Sequence, residues 1–125
     1  MTLLAQFAQE KHFEGRTRFL LQQARALPVL ADKTDNDAVR GCEARTWLRV
    51  EWQGGKLHLR GDSEARIVKG LMMLLADLYE GLDANQARHV DARAAFEAAG
   101  LTGFLSPSRS NGLYAMLAAI HAELG

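Results

Sequence analysis

The chain has 125 residues, 48% of them apolar, which suits a single domain over residues 1–125 with a real core and no need of staples. Fifteen basic side chains balance fifteen acidic ones, so no net field draws the chain to nucleic acid or to a membrane surface. The single cysteine, Cys42, excludes an internal disulfide, a four-thiolate zinc site and a CxxC redox pair, and it fits a reducing cytosol.

The amino terminus, Met1-Thr2-Leu3-Leu4-Ala5-Gln6, lacks the basic start and longer apolar run of a signal peptide. The longest apolar run, Leu113 to Ile120, is far short of a membrane span. A cytoplasmic location is therefore expected. Residues 2–26 have helical spacing: Leu3, Leu4, Phe7 and Ala8 make one stripe, and Phe13, Phe19, Leu20 and Leu27 mark a second. Gly15 weakens the pattern and predicts two pieces, a short arm and a longer helix that Pro28 ends. Residues 31–38 are polar and turn-forming and predict a surface loop.

Residues 45–52 alternate, with Thr46, Leu48, Val50 and Trp52 on one face and Trp47, Arg49 and Glu51 on the other. Period two predicts a half-buried strand. Gln53-Gly54-Gly55-Lys56 suits a tight hairpin turn, and Leu57 and Leu59 alternate with His58 and Arg60 beyond it. The result is an antiparallel hairpin, 45–52 with 56–61, whose core face is Leu48, Val50, Trp52, Leu57 and Leu59. A third strand is expected from residues 36–41.

Gly61-Asp62-Ser63-Glu64 reads as a helix start, with Asp62 or Ser63 as the capping side chain and Glu64 at the positive end of the dipole. The helix that follows is apolar almost all round, which predicts the central core helix, ended by Gly81. A helical turn is expected over 83–88, another helix over 91–99 around Phe96, and an apolar connector over 101–105. Ser106-Pro107 signals the last helix, whose buried stripe is Leu113, Met116, Leu117, Ile120 and Leu124. Met72, Met73 and Met116 fall at core positions. The fold class is α+β: a small antiparallel sheet packed against helices.

Chemistry concentrates at one stretch, Val39-Arg40-Gly41-Cys42-Glu43-Ala44-Arg45-Thr46-Trp47-Leu48. Cys42 follows a glycine where a loop hands over to a strand. Thiolates rather than thiols attack electrophiles, and nearby cations favour the thiolate. Arg40 and Arg45 are candidates for that field, with Glu43 opposing it; the plainer alternative is an inert buried thiol. Arg109 sits in the first turn of the last helix, where a cation opposes the dipole, so it is a candidate anion or thiolate partner. None of His12, His58, His89 and His121 pairs with another at metal-ligand spacing, and no metal site is expected. HExxH, P-loop, GxGxxG and GxSxG motifs are all missing.

Three segments together resemble the SufE/CsdE family of sulfur-acceptor proteins: Val39 to Leu48, Gly61-Asp62-Ser63-Glu64-Ala65-Arg66-Ile67-Val68-Lys69-Gly70-Leu71, and Leu105-Ser106-Pro107-Ser108-Arg109-Ser110-Asn111-Gly112-Leu113. Their order and separations fit, and the likeness runs from about Phe13 onward. Gly41-Cys42-Glu43 and Gly61 to Gly70 are nearer the CsdE branch, Leu105-Ser106-Pro107 nearer SufE. His12-Phe13 departs from the family, which tends to have tryptophan there.

The resemblance implies a fold shared with NifU-type scaffolds, with Cys42 as the sulfur-bearing residue. It also implies supporting roles for Arg40, Gly41, Glu43, Arg45, Asp62, Ser63 and Arg109. It implies a chain that is not itself an enzyme but accepts a persulfide sulfur from a PLP-dependent cysteine desulfurase, stimulates it, and hands the sulfur to an iron–sulfur scaffold or a related acceptor. The PLP belongs to the desulfurase, and no cofactor is expected on this chain. One cysteine cannot hold a cluster, so carriage rather than assembly is implied. Two other readings stay open: a small cysteine hydrolase, which needs a histidine beside Cys42, and an interaction module with an inert thiol. The oligomeric state, a homodimer included, is also open.

Overall fold

The computed structural model describes all residues, 1–125. Two short helices come first, α1 (Leu3–Gln9) and α2 (Phe13–Ala24). The Thr2 hydroxyl caps α1 by accepting from the Ala5 amide at 3.0 Å, and the helix buries Leu4 and Phe7. Two pieces form as expected, but the break falls at 10–12 and not at Gly15, which lies in the first turn of α2. An added Cβ at Gly15 would stand 2.7 Å from the Glu10 carboxylate folded back over it.

After α2 the chain runs past Pro28 along one edge of the sheet. Leu27 and Leu30 are buried, the Gly61 amide donates to the Pro28 carbonyl, and the Leu30 amide donates to the Gly61 carbonyl. Covering an edge in this way removes a template for unwanted pairing. The polar loop that follows holds a single 3-10 turn, Asp35–Asp37. Asp37 is buried, its carboxylate accepting from the Thr34 amide and from Arg49.

The sheet is one antiparallel hairpin, β1 (Thr46–Gln53) and β2 (Lys56–Ser63), in the register Leu48↔Gly61 and Val50↔Leu59. Gly54 and Gly55 form the two-residue turn with φ of 58° and 76°, the left-handed pair that matches strand twist. The expected third strand reduces to one bridge, Ala38 to Trp47. The 3-10 turn precedes that bridge and Gly41, at φ 94°, turns the chain away just after it, so no ladder can grow. Trp52 is also a correction. Leu57 opposite it is fully buried, but Trp52, at the hairpin tip, is 38% exposed. The core face of β1 therefore stops at Val50.

The central helix, α3 (Arg66–Tyr79), buries Val68, Leu71, Met72, Leu74, Leu75 and Tyr79, as its composition predicts. Its start does not follow the expected cap. Strand β2 runs on to Ser63, because Thr46 pairs with it, and Ala65 stands at the N-cap with no side-chain bond. Gly70 lets α3 lie directly on α2: a Cβ there would meet the Leu20 carbonyl oxygen at 2.2 Å. Two short helices follow, α4 (Ala84–Arg88) and α5 (Ala92–Ala98), capped by Asp83 and Asp91. The connector at 101–105 contains a helical turn of its own, α6 (Leu101–Phe104). The last helix, α7 (Pro107–Ala122), begins on the Ser106 cap with Pro107 in the first turn, and it buries Leu113, Met116, Leu117 and Ile120. One hydrophobic cluster joins the sheet to these helices. No helix is long and apolar enough to cross a membrane.

Candidate functional site

Cys42 lies on a short loop tied at its base. The Val39 amide donates to the Thr46 carbonyl at 2.9 Å. The Arg45 carbonyl accepts from the Glu64 amide at 3.0 Å and from the Ser63 hydroxyl at 3.2 Å. Between these ties, no main-chain amide of residues 40–45 donates a hydrogen bond to protein. A segment so sparsely bonded opens at low cost compared with the strands beside it. Gly41 carries the positive φ that turns the loop inward, a conformation other residues adopt only with strain.

The loop rests on α7. An added Cβ at Gly112 would stand 3.3 Å from the Cys42 sulfur, and one at Gly41 would stand 3.5 Å from the Ala115 methyl. Two small residues one turn apart on α7 therefore make the seat for the loop. The Cys42 thiol donates to the Gly112 carbonyl at 3.7 Å, a weak bond. The sulfur is half-buried and faces a cleft of about 250 Å³. Glu43 and Ala44 of the loop, Ala65 and Val68 of α3, and Ser108, Arg109 and Gly112 of α7 line it.

Burial pushes the Cys42 thiol above its ordinary range, and the Thr46 side chain offsets part of that rise. The field expected from Arg40 and Arg45 does not govern the thiol. Arg45 lies over the Trp47 ring, 5.1 Å from its centroid, and Arg40 points to solvent. At neutral pH the seated sulfur is a thiol.

The other predicted residues divide into two groups. Glu43 and Arg109 share the cleft with Cys42, and no carboxylate or hydrogen-bond partner engages the Arg109 guanidinium. Asp62 and Ser63 lie behind the base of the loop. Asp62 pairs with Lys33 at 2.8 Å and Lys69 at 3.7 Å, while its own side chain caps nothing in α3. Ser63 binds Thr46, Arg45 and Ala65 and so knots the loop, the strand and the helix start together. Sequence reasoning missed Gly112 and Ala115. The available signal was a glycine inside α7 with no turn to make, at a cost of about 1 kcal/mol relative to alanine.

No histidine lines the cleft. His58 pairs with Glu80, His89 with the Asn85 carbonyl and His121 with the Tyr79 hydroxyl. A cysteine-hydrolase chemistry would find no imidazole base here. No group of three His, Cys, Asp or Glu side chains is placed to hold a metal ion.

A comparison with known folds finds the solution structure of a hypothetical protein from Thermus thermophilus, with a TM-score of 0.81 at 26% identity, covering 99% of this chain and 96% of that one. The sequence model of the SufE family, described as an Fe-S metabolism associated domain, matches residues 1–124. A match of that extent, over a fold with one thiol seated in a cleft, means that the chain belongs to the SufE family and so to Fe–S metabolism.

Proposed function

We propose that Cys42 accepts a sulfur atom from the persulfide of a PLP-dependent cysteine desulfurase and passes it to an iron–sulfur scaffold or a related acceptor. The observation that carries this reading is the seating of the sole thiol: half-buried, weakly bonded to the Gly112 carbonyl, on a loop without amide hydrogen bonds of its own. An inert core cysteine has no need of such a loop.

The step is an exchange between sulfurs. The Cys42 thiol gives up its proton, and its thiolate attacks the outer sulfur of the donor persulfide. The donor's S–S bond breaks as the Cys42 S–S bond forms. The donor cysteine leaves as a thiolate and takes up a proton, so protons and electrons balance and nothing is oxidised overall. Hand-over repeats the exchange with Cys42 as leaving group. Clearing the donor's sulfur frees it for another turn, which is how the acceptor stimulates the desulfurase.

Burial opposes the thiolate, so attack follows displacement of the loop from its seat on α7. Arg109, on the cleft wall, is the chain's own cation at this site. Glu43 is the carboxylate that shares this wall.

The test is to mix the protein with a cysteine desulfurase and L-cysteine and weigh it intact. A gain of about 32 Da per sulfur is expected on the wild type and none on Cys42→Ser. Equal gain in both would refute the assignment to Cys42. Unchanged desulfurase stimulation by Cys42→Ser would favour an interaction module instead.

A further inference from the structure

Phe13 is 69% exposed, yet it does not dangle. Its ring packs at a tilt of 39° against Phe104 with centroids 5.0 Å apart, and Phe104 stands edge-on to the fully buried Phe7 at 5.4 Å. Three aromatic rings thus lead from the core to the surface, the outermost packed on the second. An aromatic packed in this way and left uncovered is the usual form of an interface anchor. Phe13, Thr17, Ile67, Phe104, Leu105 and Arg109 line a cleft of about 470 Å³ beside it.

That cleft adjoins the one at Cys42. Arg109 lines both, and Ile67 and Val68, neighbours on α3, face one cleft each. Arg109 itself has no anionic partner within the chain. Any protein that places a sulfur beside Cys42 covers this boundary. The sulfur donor is the first partner to meet this boundary, because Cys42 must be loaded before it can hand sulfur on.

Resting on the sulfur-acceptor reading above, we infer that the Phe13 cleft is the docking surface for the sulfur donor and takes an apolar side chain flanked by a carboxylate. The apolar group fills the hollow against Phe13 and Phe104. The carboxylate pairs with Arg109, and the donor's reactive sulfur enters the neighbouring cleft.

The experiment measures desulfurase turnover with L-cysteine against the concentration of this protein, as wild type, Phe13→Asp and Phe13→Leu. For Phe13→Asp the half-saturating concentration is expected to rise at least about tenfold, with the plateau rate within about twofold, while Phe13→Leu stays near wild type. A small-molecule persulfide should load Cys42 equally in all three, and matching circular dichroism and urea midpoints should show that each is folded. Unchanged half-saturation in Phe13→Asp overturns the inference. So does a defect confined to hand-over from loaded Cys42, which would give the surface to the acceptor. A wild-type dimer that Phe13→Asp dissociates would give it to a second copy and overturn it as well. If the wild type gains no sulfur from the desulfurase, the sulfur-acceptor reading itself fails, an outcome distinct from all of these.

Discussion

Gly112 decides how deeply the Cys42 sulfur sits. A methyl group there would come within 3.3 Å of the sulfur, too close for the seated rotamer to stay unchanged. Gly112→Ala should therefore lift the thiol outward and raise its rate of alkylation by iodoacetamide several-fold. Stability should not fall, because alanine favours the interior of α7 by about 1 kcal/mol. An unchanged rate would remove Gly112 from the site. The thiol also carries a pH signature. Burial raises its pKa in the folded chain, so the native state holds the proton more tightly than the unfolded state. The stability linked to it is complete below the unfolded thiol's pKa and is lost as pH rises through the higher folded value. The alkylation profile of the native protein should have its midpoint above the roughly 8.5 of a free cysteine, and the midpoint should move down in urea. A native midpoint below that of the unfolded chain would contradict the seated geometry. Cys42 and Arg109 were legible from chemistry and context. Gly112 and Ala115 were not, since a small residue's use lies in what approaches it from a distant stretch of chain.

At the level of elements, the hairpin was readable because both of its signals are local: alternation in the strands and a Gly-Gly pair between them. The third strand and the cap of α3 were not, because each depends on which distant pairing wins. Thr46 claims Ser63 for the sheet, and the helix starts two to three residues later than its capping residues, Asp62 or Ser63, suggest. The polar loop before the site hides a similar long-range bond. Arg49 on β1 donates to Asp37 at 2.7 and 3.0 Å and also reaches Asp32. The Arg49 guanidinium holds the Asp37 carboxyl down at about 2. Its contribution is present above the ordinary carboxylate value of 3.8 and is lost as pH falls through about 2. Asp37→Ala should lower stability by about 1–3 kcal/mol in urea titrations, since it leaves Arg49 and the Thr34 amide short of partners. Its loss of stability between pH 4 and pH 2 should be shallower than the wild type's, as roughly one proton of linkage is gone. Equal acid limbs in the two proteins would contradict the ion pair.

Across the whole molecule, stability and mobility are separated. The cluster around α3 joins the hairpin to the helices, and Leu71, Leu74, Leu75 and Tyr79 are fully buried. Residues 40–45 touch this body through the Gly112 and Ala115 seat and through the Ala44 and Arg45 carbonyls, which accept from Thr46, Ser63 and Glu64. Amide exchange should accordingly be fast over 40–45 and slow over 68–76, and on the proposed reading adding a cysteine desulfurase should alter the loop first. Protection over 40–45 equal to that of α3, unchanged by the partner, would argue against an opening loop. The overall class, the central helix and the capped final helix were all legible because periodicity reports burial directly. The cleft was not, because its walls come from three separate parts of the chain.

The double tie at Val39–Thr46 and at Arg45 limits how far the loop can carry its cargo. The five residues between these anchors, 40–44, reach outward by about half their extended length, roughly 8 Å at 3.3 Å per residue. This is a short tether, unlike the long swinging arms that ferry groups between distant centres. On the proposed reading, giver and receiver each come to the same small doorway and take turns at it.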